Sequence, residues 1–429
     1  MVENPEPSFT PIATSYLLDD SLPPAWVIVA GGIDRYGAMD KANFALARRL
    51  LENGRTVHLI THRVADELRR EANVQIHLAP TPAGSLLLGE MHLSRLGRKV
   101  AATLSKKGIP PIVLSNGGNC SWPGVNWVHS LHHAWPTVDR GAPVAFRVKN
   151  RIAKQTAIYR EARAIRSARL IVANSHHTKT DIVKWLPDTA GRVETIYLGS
   201  DPQAARHTPE ARGSTRKGLG IAEGVPVVLF AGALSHDNNK GFDVLLDAWR
   251  ILGSEPGWNA KLLVAGGGGA VQSWRDSVAV DRTLSQSVKV LGYVTDMSAL
   301  YASSDLLVAP SRYEAYGLAA HEAICAGLPA LISATAGIAE RYPPALGEMI
   351  LQHPSDAFSL AGKLRSWRPN AAAWRDRFAP LRSELASHSW DAMADQLIQL
   401  AESRLALGVP TRTPHDKLRT NPDGPLAAS

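Results

Sequence analysis

The chain has 429 residues, enough for about two to four domains. Its 45% hydrophobic and 20% charged residues are ordinary globular proportions and exclude a disordered or collagen-like polymer. The formal net charge of +8 allows an anionic partner (a nucleotide phosphate, an acidic membrane surface or nucleic acid) without choosing among them. Cys120 and Cys325 form neither a C-x-x-C pair nor a disulfide framework, which suits a reducing cytoplasm. The first residues have no basic and then apolar leader pattern, and no stretch of about 18 apolar residues occurs. We therefore expect a cytoplasmic protein, soluble or peripheral on the inner membrane face.

Residues 1–23 are proline-rich and read as a loose tail. From 24 to 200, short β-branched runs alternate with amphipathic ones. Strands are expected at Trp26–Ala30, Val57–Thr61, Val74–Leu78, Ile112–Leu114, Val125–Val128 and Leu170–Ala173. Being apolar on both faces, they read as central parallel strands. The first strand leads into Gly31-Gly32, then Gly37-Ala38, and then a helix carrying Asp40 and Asn43 in its first turns. At Gly31 we expect a tight strand exit with positive φ. Asp40 and Asn43 face either the cleft or solvent. A run at 147–169 holds eight Arg or Lys against one acid, Glu161. Ile152, Ile158, Ala162 and Ile165 suggest a helix with one buried face. Its charge reads first as a solvated face, then as a contact for anionic lipid or an anionic acceptor; nucleic acid ranks last, because no aromatics interleave with the charges.

A second strand set occupies 201–387: Val227–Ala231, Lys261–Ala265, Val288–Leu291, Leu306–Ala309 and Ala330–Ser333. The polar stretch 203–224 reads as a linker or surface excursion. Gly266–Gly269 follows a strand, yet fails G-x-G-x-x-G and reads as a flexible strand exit; no P-loop is present. A helix over 388–406 follows the second sheet, and 407–429 is a second loose tail. Repeated β-α alternation in two sets predicts two parallel α/β domains.

The densest segment is 308–333, VAPSRYEAYGLAAHEAICAGLPALIS. Pro310 ends a strand, Gly317 opens a helix and Gly327 stops it. Glu314 falls on the loop at the carboxyl end of a parallel strand, and Glu322 in the second turn of the next helix. That edge is where open parallel sheets bind ligands. Glu314 suits sugar hydroxyls and Glu322 a ribose diol. The amides of Tyr316, Gly317, Leu318 and Ala319 suit a diphosphate at the helix N-terminus.

This string resembles the E-x7-E motif of glycosyltransferase family 4, retaining nucleotide-sugar enzymes of the GT-B fold. Leu229-Phe-Ala-Gly-Ala-Leu234 with Lys240-Gly241, Val172-Ala-Asn-Ser175, Tyr197-Leu-Gly-Ser-Asp201, Leu291-Gly-Tyr-Val294 and Ser389-Trp390 resemble further parts of that family in the same order. The resemblance covers residues 26–405. It implies two Rossmann-like domains facing across a cleft, the first for the acceptor and the second for the donor, with the last helix crossing back. It implies Lys240 on the leaving diphosphate, Gly37 close to the donor, Tyr293 beside the nucleotide, and a histidine ending a strand in the cleft, with His129 first and His132 second. The family commonly has an arginine where this chain has Ala233; Arg312 is the candidate replacement.

The implied reaction moves a sugar from a nucleotide diphosphate sugar to a hydroxyl acceptor, carbohydrate or lipid-linked, with retention. A non-catalytic nucleotide-sugar-binding protein and a sugar-nucleotide epimerase are the alternatives. No D-x-D is present to hold a metal, so we expect no metal and no cofactor. His129 and His133 have i, i+4 spacing, but their strand context argues against zinc.

Overall fold

In the computed structural model, the described residues are 24–82, 85–136, 142, 144–201 and 209–406. The expected tails at 1–23 and 407–429 lie outside them. The first half runs β1 (Trp26–Val29), β2 (Gly32–Ile33), α1 (Ala38–Glu52), β3 (Val57–Thr61), β4 (Arg63–Val64), β5 (Val74–Leu78), α2 (Leu86–Lys106), β6 (Ile112–Asn116), β7 (Val125–Val128), α3 (Val144–Ser167), β8 (Leu170–Ala173), α4 (His176–Trp185) and β9 (Val193–Thr195). The second runs α5 (Pro209–Leu219), β10 (Val227–Ala231), α6 (Phe242–Gly253), β11 (Lys261–Ala265), α7 (Val271–Val280), β12 (Val288–Gly292), α8 (Ser298–Ser303), β13 (Leu306–Ala309), α9 (Leu318–Cys325), β14 (Ala330–Ser333), β15 (Ile350–Leu351), α10 (Ala357–Trp367), α11 (Ala371–Ser387) and α12 (Trp390–Ala406).

Two large parallel sheets result, ordered β5-β3-β1-β6-β7-β8-β9 and β12-β11-β10-β13-β14-β15, and β2 and β4 form a separate two-stranded parallel pair. Each large sheet reverses its winding once, between β1 and β6 and between β10 and β13, and opens a crevice at the strands' carboxyl ends there. The central strands are buried: Trp26, Ile28 and Trp127 anchor the first sheet, and Phe230, Leu262 and Leu307 the second, where Trp249 of α6 packs in the same core. β9 and β15 were not marked in the sequence because edge strands of two or three residues carry too little apolar signal.

α12 crosses back. Met393, Ala394, Leu397 and Ala401 are fully buried in the core of the first sheet, beside Trp26 and Leu46. Arg49 clasps Asp395 through two hydrogen bonds of 2.7 Å, and Arg55 pairs with Glu402 at 2.9 Å.

Three expectations need correction. The stretch 203–224 contains helix α5, which lacks an apolar period because Arg212 and Arg216 tie it to Asp305 and to carbonyls instead. Ile152 does not face a core: α3 buries Glu161, Ala164 and Ile165, while its first half projects outward with Ile152 exposed. Gly31 needs no positive φ. The constraint sits at Gly32, where a Cβ would overlap the Asp40 carboxylate.

Candidate active site

Both helices that open onto the crevice begin at a glycine with positive φ, Gly37 (86°) before α1 and Gly317 (110°) before α9. Neither glycine can cap with a side chain, so first-turn amides remain available to an anion. A cavity of about 420 Å³ lies between them, lined by Gly37 and Ala38 from the first domain and by Gly232, Ala233, Lys240, Glu314, Gly317 and Leu318 from the second.

Lys240 and Glu314 form an ion pair across this cavity. Two loops must be held in register for it. The buried Asn239 does so: its Nδ2 donates to the Tyr313 carbonyl at 2.9 Å, and its Oδ1 accepts from the Tyr313 amide at 3.1 Å. Ser311 Oγ adds a 3.5 Å contact to Glu314. Asn239 was not singled out in the sequence; the Asn238-Asn239 doublet is a turn signal that could have marked it. Gly241 takes φ 72°, and a Cβ there would overlap the Pro310 carbonyl, so the loop that carries Lys240 packs directly on the loop that carries Glu314.

Glu322 is placed differently from its motif partner. Its Oε1 accepts from Lys41 Nζ of α1 at 2.8 Å, and its Oε2 from Tyr301 Oη at 3.4 Å. Leu318 is buried beneath the cavity rim. The Tyr316 ring turns inward, bonded to His321 Nδ1 at 2.7 Å and packed on Tyr197, so only its backbone is available to a ligand. Tyr293 is 69% exposed, its ring beside Gly267 on the glycine run and away from the cavity lining. That run is not a loose exit: a Cβ on Gly266 would overlap the Gly232 carbonyl, so glycine is needed for the close approach of two loops.

Arg312 does not stand in for the arginine absent at Ala233. Its guanidinium is bound by both oxygens of Asp243 at 2.8 and 2.7 Å and reaches Ser355 Oγ. Asp40 is likewise occupied: it is buried beneath Gly32 and paired with Arg63, and burial pushes its carboxyl above the usual range against the opposing pull of Arg63. Asn43 is fully buried and bonds Asn116 Oδ1 at 2.9 Å rather than facing the cleft.

The three histidines after β7 separate by environment. The His129 ring leans on Trp127 at 4.5 Å, its Nε2 is sealed from solvent, and burial lowers its pKa to about 3, so it stays neutral. His133 stacks on Trp185. His132 keeps 40% of its side chain exposed, and its Nδ1 and backbone amide both bond the buried Glu161 carboxylate at 3.0 and 2.9 Å. His132 thus offers solvent a hydrogen-bonded imidazole, while His129 keeps its Nε2 covered. The neighbouring Leu131 amide donates to Tyr313 Oη at 2.9 Å, which brings this loop to the residue preceding Glu314.

Other contacts join the two domains. Ser175 caps α4 by accepting from the Thr178 amide at 2.9 Å and also donates to the Ala315 carbonyl at 2.6 Å. The Glu340 carboxylate accepts from the His176 and His177 amides at the same helix end.

Two sequence families account for this arrangement: residues 41–204 match Glycosyltransferase Family 4, and residues 225–367 match Glycosyl transferases group 1. The chain belongs to the family 4 glycosyltransferases. Its fold is GT-B. This glycosyltransferase is 24% identical over 401 residues to a D-inositol 3-phosphate glycosyltransferase of Streptosporangium roseum, covering 86% of this chain and 89% of that one. It is 29% identical over 209 residues to an uncharacterized glycosyltransferase of Methanocaldococcus jannaschii, where it spans about half of that relative's length (49%) and 48% of its own. Among solved structures, sucrose-phosphate synthase of Thermosynechococcus elongatus superposes with a TM-score of 0.70 at 20% identity, covering 90% of this chain and 99% of the other. HepE of Anabaena, solved in complex with UDP-glucose, gives 0.64 at 18% identity, covering 88% and 99%. At these identities the likeness concerns the fold alone.

Proposed function

We propose that this glycosyltransferase transfers a sugar from a nucleoside diphosphate sugar to a hydroxyl acceptor with retention of configuration. The observation that carries the reading is the Lys240–Glu314 pair, set in a cavity onto which two helix N-termini open. Negative charge develops on the diphosphate as the glycosidic bond breaks. The Lys240 ammonium and the first-turn amides after Gly317 and Gly37 are preorganised to stabilise it. Glu314 binds sugar hydroxyls, and Glu322 the ribose diol. A double displacement would need a carboxylate behind the anomeric carbon. The motif suggests none, so a front-face departure assisted by Lys240 fits retention. Closure of the crevice excludes water that would otherwise hydrolyse the donor.

On the acceptor side stands His132, oriented by Glu161. Beside it, α3 presents an exposed apolar stripe of Val144, Val148, Ile152 and Tyr159, flanked by Arg147, Lys149, Arg151 and Arg163. Phe146 of the same helix meets His236 of the second domain at 5.2 Å, so the stripe begins at the cleft mouth. It suits an anionic membrane surface bearing a lipid-linked acceptor. No helix among the described residues is long and apolar enough to cross a membrane.

The test is a thermal-shift screen with UDP-, GDP- and ADP-sugars, followed by turnover of the bound donor with and without EDTA. A saturating donor at about 100 times its Kd adds about 2.7 kcal/mol of stability. Undiminished turnover in EDTA is expected; full dependence on added Mn or Mg refutes the metal-free route. Glu314→Gln and Lys240→Ala should each lower kcat by about a hundredfold or more while remaining folded. Near-normal turnover in both refutes the assignment. Ala233 leaves one second reading, a sugar-nucleotide-binding protein without turnover, and the same assay separates it by binding without product.

A further inference from the structure

We propose that Lys41 is the second donor-side cation of this enzyme, delivered from the opposite domain. The inference rests on the donor reading above and deepens it.

Lys41 lies in the first turn of α1, four positions after Gly37, whose backbone lines the cavity. Its Nζ sits 2.8 Å from Glu322 Oε1 and 5.5 Å from the centre of the Trp390 ring. The lysine therefore joins α1 of the acceptor-side domain, α9 of the donor-side domain, and the first residue of the crossing helix α12. The two side chains are 26% and 30% exposed, a depth at which charge is screened less than on the open surface.

Charge balance gives the lysine its role. Two carboxylates belong to this crevice, and each has one lysine: Glu314 has Lys240, and Glu322 has Lys41. A nucleoside diphosphate adds further negative charge beside both. Ala233, on the cavity wall, has none to offset it, and Arg312 is held by Asp243. Without Lys41 the donor would approach an uncompensated Glu322, and like charges at close range oppose binding. With Lys41 in place the Glu322 carboxylate is neutralised yet keeps lone pairs for hydroxyl donors, since each oxygen accepts more than one hydrogen bond. The ammonium thus reaches the donor side from the other domain.

The experiment uses the full chain as wild type, K41M and K41R. UDP, GDP and ADP are titrated by calorimetry, and donor KM and kcat are measured with the sugar nucleotide the wild type turns over. K41M should weaken nucleotide binding and raise donor KM by about five- to tenfold, with kcat at saturating donor within about twofold, and K41R should restore most of the loss. A thermal melt of each variant verifies that it is folded. K41M binding as tightly as wild type overturns the proposal, as does a fall in kcat at unchanged KM. A wild type that binds none of the three nucleotides refutes the donor reading itself, a result distinct from either.

Discussion

His132 and Glu161 show how one buried acid sets the behaviour of an exposed base. Burial works against the charged imidazole, but the hydrogen bond it donates to Glu161 and the negative charge there, with Glu90 adding, outweigh that cost and the repulsion of Lys154. The pKa of His132 is therefore raised above its ordinary 6.5. A raised histidine stabilises the fold fully below its unfolded value, and the contribution fades as pH rises through the folded value. His132→Gln should thus show its largest melting-temperature deficit at about pH 6 and a small one at about pH 8.5. Melts at a series of pH values check this, and a deficit independent of pH refutes it. Glu161 is the only acid in a run of eight basic residues, and its burial among them marks it as the residue that anchors α3 to the loop after β7.

At the scale of elements, the site is a junction of loops rather than a set of side chains. The β10–α6 loop carries Lys240 and the β13–α9 loop carries Glu314. Asn239 and Gly241 bind the first to the second. Gly241→Ala demands both a positive φ for a residue with a Cβ and room that the Pro310 carbonyl occupies. It should cost about 2 kcal/mol or more and misplace Lys240, so that kcat falls along with the melting temperature. Thermal melts with parallel turnover assays are the check; wild-type stability would show that the two loops yield easily. The two positive-φ glycines that begin α1 and α9 act in the same way. They turn each chain into its helix without a capping side chain and leave the amides facing the crevice.

At the scale of the whole molecule, α12 and the interdomain contacts bring two independently patterned sheets together around one crevice. The positive charge is distributed to match. Lys240 lines the cavity between the domains, and Lys41 pairs with Glu322 across the domain interface. α3 carries the exposed basic and apolar stripe beside the cleft mouth. Vesicles rich in anionic lipid should therefore co-sediment the protein, and neutral vesicles should not. Ile152→Glu together with Arg151→Ala should abolish the binding while leaving turnover of a soluble acceptor intact. Equal binding to neutral and anionic vesicles would refute the electrostatic part of this docking.

The amino-acid sequence by itself determined the two parallel α/β halves, a last amphipathic helix, and the loop-helix that carries Glu314 and Glu322; that the last helix crosses back was implied only by the family resemblance. These are local matters: strand periodicity, a proline that ends a ladder, a glycine that opens a helix and another that stops it, all within about ten residues of one another. Lys240 was marked by the family resemblance, since a lysine in a loop carries no signal of its own. Tertiary structure decided which of these residues share a site, and which do not. Arg312 is adjacent to Glu314 in neighbourhood yet is consumed by Asp243, 69 positions away. Tyr316 lies inside the motif, but its ring belongs to the core. Lys41 lies 281 positions from Glu322 and meets it only because α12 holds the two domains together. A contact made across a domain interface leaves no periodic trace in the chain, since its geometry comes from the packing of buried surfaces such as Leu397 and Met393 rather than from any pattern around the residues that touch.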